Sequence, residues 1–155
     1  MRAGELCVRD VVTAQEDESA LDAARRMAQL DVGDLIVVRE RPYGQPHPIG
    51  IVTDRDLVVR VLARELAPAA TKVRDIMRCE LVTASEDDDI EAVAAKMRTH
   101  AIRRLPVVDR LGGLQGVLSI DDVIGWMRDQ LQTATKLLEE QGGGPRLHVH
   151  ARATP

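Results

Sequence analysis

Gly50-Ile51-Val52-Thr53-Asp54-Arg55-Asp56-Leu57 and, 66 positions later, Gly116-Val117-Leu118-Ser119-Ile120-Asp121-Asp122-Val123 are two versions of one pattern. In each, a glycine and two apolar residues lead to a hydroxyl residue, with an aspartate three positions after it. This order reads as the end of a strand running into the start of a helix. The hydroxyl falls at or near the N-cap, where it can accept a hydrogen bond from an orphan N–H of the first turn. The aspartate falls inside that turn, near the positive end of the helix dipole. Free N–H groups at such a turn also suit a bound anion. Capping alone explains one such turn; two at matched places weaken that explanation.

Working outward, the whole chain reads as an imperfect tandem repeat. Thr13-Ala14, Glu16-Asp17 and Met27 match Thr83-Ala84, Glu86-Asp87 and Met97 at an offset of 70, and Val8-Arg9-Asp10 matches Val73-Arg74-Asp75 at 65. These offsets imply five extra residues before Thr83 in copy two and four before Ile49 in copy one. Each copy then reads as a short extended lead-in followed by helix, strand, strand, helix. In copy one, Ser19 and Asp22 form a capping-box pattern ahead of Ala20, Ala23, Ala24, Met27 and Leu30 at helical spacing. Leu35 to Val38 is a buried-strand run, Arg41 to Pro48 a proline-rich turn, and Ile49 to Val52 the returning strand. Leu57, Val58, Val61, Leu62 and Leu66 form the stripe of a second helix closed by Pro68. In copy two, Asp88 with Glu91 starts the first helix, Leu105 to Val108 and Leu114 to Leu118 are the strands, and a longer helix runs from Asp121 to about Glu140. Gln141-Gly142-Gly143-Gly144-Pro145 then breaks regular structure, which predicts a disordered tail over 141–155.

The chain has 155 residues, 45% apolar and 30% charged, with one Trp, one Tyr and no Phe. Its core must therefore be aliphatic. The lack of aromatic platforms argues against single-strand nucleic-acid binding by stacking, and a net charge of −4 argues against general affinity for DNA or anionic membranes. Glu5, Arg9 and Asp10 interrupt any signal-like apolar run, so a cytoplasmic location is expected, with Cys7 and Cys79 reduced.

The repeat resembles a tandem pair of CBS domains, the module named after cystathionine β-synthase. The resemblance rests on the lead-ins ending in Val12-Thr13 and Val82-Thr83, on Val32-Gly33-Asp34-Leu35-Ile36-Val37-Val38 and Ile102-Arg103-Arg104-Leu105-Pro106-Val107-Val108-Asp109, and on the two Gly-x-x-Thr/Ser-x-x-Asp endings. It implies an α+β fold of two β-α-β-β-α repeats, 6–68 and 69–128, packed into one pseudo-two-fold globule, with a C-terminal helix extension over 129–140. Such pairs usually dimerise, bind adenine-containing ligands (AMP, ADP, ATP or S-adenosylmethionine) between the repeats, and regulate a partner. This chain looks like a stand-alone pair, similar to small bacterial stress-associated proteins.

The resemblance also implies site residues. Asp56 with Thr53, and Asp122 with Ser119, take the positions that hold ribose hydroxyls and meet phosphate. Arg103 and Arg104 take the phosphate position, for which a guanidinium is geometrically suited; copy one offers Gly33 and Asp34 there, so the clefts should not be equivalent. Val12, Thr13, Val82 and Thr83 sit where the family packs the adenine. Each position has a plainer reading as well. Thr53 and Ser119 can simply cap helices, the valines and threonines can be ordinary sheet residues, and Arg103 and Arg104 can pair with the acidic run Glu86 to Glu91. Arg55 can face a phosphate or neutralise Asp54 and Asp56. His148 and His150 could hold a metal on a strand, although chance spacing explains them better, and no metal is required. No nucleophile–base pattern makes the chain an enzyme. Three functions compete: a nucleotide-sensing regulatory homodimer with links to energy sensing, a ligand-free dimeric interaction module in a stress response, and, far behind, a small histidine-based enzyme or metal protein.

Overall fold

Leu35, Val37 and Val52 alternate with Ile36, Val38 and Ile51, so each strand offers one apolar face to the helices and another to a second sheet. The computed structural model describes residues 1–140 and realises that alternation in two three-stranded sheets. In copy one, β1 (Thr13–Gln15) runs parallel to β2 (Asp34–Arg39), which pairs antiparallel with β3 (His47–Thr53). In copy two, β4 (Ala84–Ser85), β5 (Arg104–Val108) and β6 (Leu114–Ser119) repeat this order. Helices α1 (Ala3–Leu6), α2 (Ala20–Leu30) and α3 (Asp54–Arg60) belong to the first half of the sequence; α4 (Val73–Ile76), α5 (Ile90–Thr99) and α6 (Ile120–Glu140) belong to the second. Each sheet has its own helix-side core. A third cluster of Ile36, Val38 and Leu114, joined by Val11, Ile51 and Val117, lies between the copies. The fold is thus the expected α+β pair.

The lead-ins differ from the sequence reading. They are not merely extended: each begins with a helical turn, and each turn packs on the other copy. Ala3 is buried in the core of copy two, while Val73 and Ile76 are buried in that of copy one. The N–H groups of Ala3 and Gly4 donate to the carbonyls of Asp88 and Glu86 at 2.8 and 3.0 Å, and those of Val73 and Arg74 donate to Glu18 and Glu16 at 3.0 Å each. Ala3 therefore corresponds to Val73, an offset of 70 that continues unbroken to Asp34 and Arg104 at the starts of β2 and β5. The 65-residue match of Val8-Arg9-Asp10 with Val73-Arg74-Asp75 is a coincidence of letters, and copy two has no insertion before Thr83. Only the β2–β3 turn differs in length.

Each lead-in then crosses the other sheet. Val8 exchanges two 2.9 Å backbone hydrogen bonds with Val117 of β6, and Arg78 exchanges two, at 2.9 and 3.1 Å, with Ile51 of β3. The glycine that opens each Gly-x-x-Thr/Ser-x-x-Asp segment lies under that crossing. A Cβ at Gly116 would stand 2.6 Å from Cys7 Sγ and 2.7 Å from the Val8 carbonyl, and one at Gly50 would stand 2.9 Å from the Arg78 carbonyl. Both glycines are present because another strand's backbone needs their space.

Two helix boundaries also differ from expectation. The second helix of copy one ends at Arg60, where the β-branched Val58, Val59 and Val61 weaken it, and continues only as a 3-10 turn, Leu62–Arg64. Its anticipated stripe is split: Val61 is buried and Leu57 partly so, whereas Val58, Leu62 and Leu66 are exposed. In copy two the N-cap is Asp89, not Asp88, whose carboxylate accepts from the Ser85 N–H and from Lys96 Nζ. Ser19 does cap α2, accepting from the Asp22 N–H at 3.1 Å. Cys7 and Cys79 are free thiols, and burial pushes the Cys7 pKa up. Among the described residues no helix is long and apolar enough to cross a membrane. The anticipated tail and its histidines lie outside the described residues.

Overpacking a crossing point typically costs about 1–3 kcal/mol, so Gly116→Ala should lower the stability measured by urea denaturation by about that much. Gly125, in mid-helix, is the control, because an added methyl there would meet nothing within 4 Å. Gly125→Ala should raise stability by about 0.5–1 kcal/mol. Equal effects at the two glycines would contradict the crossing as the reason for Gly116.

Candidate functional site

Thr53 ends β3 and caps α3 in a closed pair of exchanges. Its Oγ1 accepts from the Asp56 N–H at 3.1 Å, while Asp56 Oδ2 accepts from the Thr53 N–H at 3.1 Å and from its hydroxyl at 2.8 Å. Ser119 and Asp122 do the same at 3.2, 2.8 and 2.6 Å. Capping, the plainer reading, is therefore present in both copies.

The copies part at the second carboxylate oxygen. Asp56 is the one buried charged side chain among the described residues, 2% exposed. Its Oδ1 lies 3.2 Å from Arg78 Nε and 3.4 Å from Arg60 Nε. Arg60 also donates to the Ile76 carbonyl at 3.1 Å, at the end of α4. An aspartate removed from water needs such partners. Asp122 pairs with no base among the described residues, because the positions matching Arg60 and Arg78 hold Trp126 and Val8.

Arg60 and Arg78 border an open cleft of about 1530 Å³ between the copies. Copy one contributes Gly33, Asp34, Thr53, Asp54 and Arg55. The lead-in of copy two contributes Met77 to Val82, and its β5 approach contributes His100 to Pro106. Five arginines line this cleft: Arg55, Arg60, Arg78, Arg103 and Arg104. The positions that match these arginines under the repeat hold Asp121, Trp126, Val8, Gly33 and Asp34, none of them basic, and Asp121, Gly33 and Asp34 line this same cleft. The pseudo-two-fold that relates the backbones does not relate the charges.

Arg104 pairs with Asp34, its own counterpart in copy one, and Arg103 Nη2 lies 3.8 Å from Asp121 Oδ2 between two exposed side chains. Neither reaches the acidic run Glu86 to Glu91, three of whose aspartates pair instead with Arg110, Lys96 and Arg2. Arg55 makes no ion pair among the described residues, so it does not neutralise Asp54 or Asp56. Asp34 is 16% exposed. Burial raises its pKa, Arg104 opposes the rise and Asp54 adds to it.

Of the anticipated residues, Thr53, Val82, Arg103 and Arg104 line the cleft, and Asp56 lies behind Arg60 and Arg78. Val12, Thr13, Thr83, Ser119 and Asp122 do not line it. Val12 packs on the core of copy one, and the Thr13 carbonyl accepts from Arg26 Nη1 at 2.6 Å. The Thr83 carbonyl accepts from Lys96 Nζ at 2.9 Å, and Thr83 borders a smaller cleft with His47, Cys79 and Leu81. Sequence reasoning missed Arg60 and Arg78. The first was within reach, as a base four residues after an acid on one helix; the second becomes visible only once the lead-in crosses.

Comparison with known proteins agrees with the repeat. The family model of the CBS domain matches residues 3–63 and 73–129. An uncharacterized protein of Methanopyrus kandleri, MK0525, is 36% identical over 121 residues, 78% of this chain; the chain spans 60% of that protein's length. A signal-transduction protein with CBS domains from Burkholderia ambifaria superposes with a TM-score of 0.69 at 28% identity, covering 82% of this chain and 93% of that one. The CBS domain pair of MJ0100, solved with 5′-methylthioadenosine and S-adenosyl-L-methionine, shares the fold with a TM-score of 0.69 at 24% identity over 84% of this chain and 98% of its own.

The raised pKa of Asp34 fixes the sign of a pH effect. The folded state holds this proton more tightly than the unfolded chain, so the contribution of Asp34 to stability is fully present below the ordinary value of 3.8 and is lost as pH rises through the folded pKa. The melting temperature of the wild type minus that of Asp34→Asn should therefore fall as pH rises from 3.8 toward neutrality. A difference that grows with pH would contradict this.

Proposed function

The chain belongs to the CBS-domain family as a tandem pair, and from that premise we propose that it is a regulatory module whose arginine-lined cleft takes one phosphorylated adenosine ligand. The observation that carries the proposal is the gathering of Arg55, Arg60, Arg78, Arg103 and Arg104 in a single cleft. Guanidinium groups match phosphate oxygens two by two. Asp34, Asp54, Glu80 and Asp121 line the same cleft, but Arg55 is unpaired among the described residues and Arg60 and Arg78 share one carboxylate, so guanidinium donors remain for a phosphate. Leu81, Val82, Ile102 and Pro106 border the same space and supply the apolar surface that an adenine needs. The ligands of MJ0100 support the adenosyl class by analogy of fold.

Signalling follows from what the two arginines Arg60 and Arg78 hold. Arg78 ties the lead-in of copy two to Asp56, and Arg60 ties Asp56 to the end of α4. A phosphate group draws both arginines toward itself and frees Asp56 Oδ1 for the ribose diol. The ligand thereby loosens or resets the joint between the copies, and a homodimer passes that change to a regulated partner. No catalytic step enters this reading. The competing reading, a ligand-free interaction module, is favoured by one observation: Asp56 is already satisfied by its own arginines.

Titration calorimetry with AMP, ADP, ATP and S-adenosylmethionine distinguishes the two. Losing a charge-assisted hydrogen bond costs about 1.5–3 kcal/mol, roughly 10- to 150-fold in affinity. Arg55→Ala should weaken the preferred nucleotide by that factor with an unchanged melting temperature, because Arg55 has no ion pair to lose. Asp122→Asn should leave the affinity within about twofold, well under the tenfold that 1.4 kcal/mol represents. Wild-type protein that binds none of the panel would favour the ligand-free module.

A further inference from the structure

Helix α6 continues past the body that the two repeats build. The CBS match ends at residue 129, yet the helix runs to Glu140, about 16 Å farther at 1.5 Å per residue. Every described side chain from Met127 to Glu139 is exposed. Along this stretch Ile124, Met127, Leu131, Ala134 and Leu138 are spaced three, four, three and four apart. That is the a/d spacing of a coiled-coil seam, which a partner helix with the same repeat complements by knobs-into-holes packing. The seam is open: Ile124 is 56%, Leu131 69% and Leu138 63% exposed.

We propose that this projecting helix pairs with α6 of a second copy of the chain, forming a short two-helix coil that joins two molecules outside the domain body. An identical helix supplies the matching repeat without a further partner. The flanking positions permit it: in a parallel pair, Val123 would stand opposite Arg128 and Gln130 opposite Thr135, with no like charges facing each other. The inference is independent of the nucleotide reading, since association through α6 needs no ligand.

Leu131 lies midway along the seam, so either helix direction brings it beside its own copy. In a chain with Cys7→Ala and Cys79→Ser, Leu131→Cys should form a disulfide-linked dimer under mild oxidation far faster than Gln132→Cys, whose position faces away from the seam. Sedimentation equilibrium should show that Leu131→Asp with Leu138→Asp raises the dimer dissociation constant at least tenfold, while Thr133→Asp leaves it unchanged. Both leucines are exposed in the single chain, so melting curves taken well below the dimer dissociation constant, where association adds no stability, should match and serve as the folding control. A monomeric wild type, a dimer indifferent to the paired aspartates, or equal cross-linking at 131 and 132 would each overturn the proposal.

Discussion

Two backbone crossings hold this molecule together. The lead-in of each copy lies across the last strand of the other, and at each crossing the strand below carries a glycine because a methyl group would collide with main chain. The consequence reaches beyond local packing. With Ala3 buried in the second core and Val73 and Ile76 in the first, each core is completed by residues from the other half of the sequence. Cutting the chain between the repeats would leave each half without a helical turn, a bridging strand pair and part of its apolar filling. The pair is therefore expected to fold as one cooperative unit.

The same crossing places chemistry. Arg78 rides on the lead-in of copy two and reaches Asp56 of copy one, while Arg60 reaches from α3 to both Asp56 and the end of α4. A buried carboxylate shared by two guanidiniums is costly to expose and costly to strip of its partners. The other half has no such arrangement: Trp126 and Val8 stand where those arginines would be. The repeat kept its backbone while the charges at matching positions diverged.

Much of this was legible in the chain. The strand ending in Thr53 or Ser119, the aspartate three residues on and the capping at Ser19 follow from local hydrogen-bonding rules, and these elements stand where those rules put them. What local rules could not reach was exchange between the halves. Val8-Arg9-Asp10 and Val73-Arg74-Asp75 look alike, but the equivalent of Val73 is Ala3, because burial and backbone pairing decide equivalence and three shared letters do not. The stripe from Leu57 to Leu66 looked continuous because periodicity says nothing of where a run of β-branched residues ends a helix. The expected contrast of Gly33 and Asp34 with Arg103 and Arg104 does not separate two clefts, because all four residues line the same one. That Arg60 and Arg78 join them required the fold.

The central claim is that a single cleft per chain takes a phosphorylated adenosine ligand, despite the two-fold likeness of the halves. The stoichiometry of binding tests it most directly. Titration calorimetry of the intact protein with ADP, at chain concentrations well above the dissociation constant, should saturate at one nucleotide per chain. Saturation at two equivalent nucleotides per chain would contradict the account.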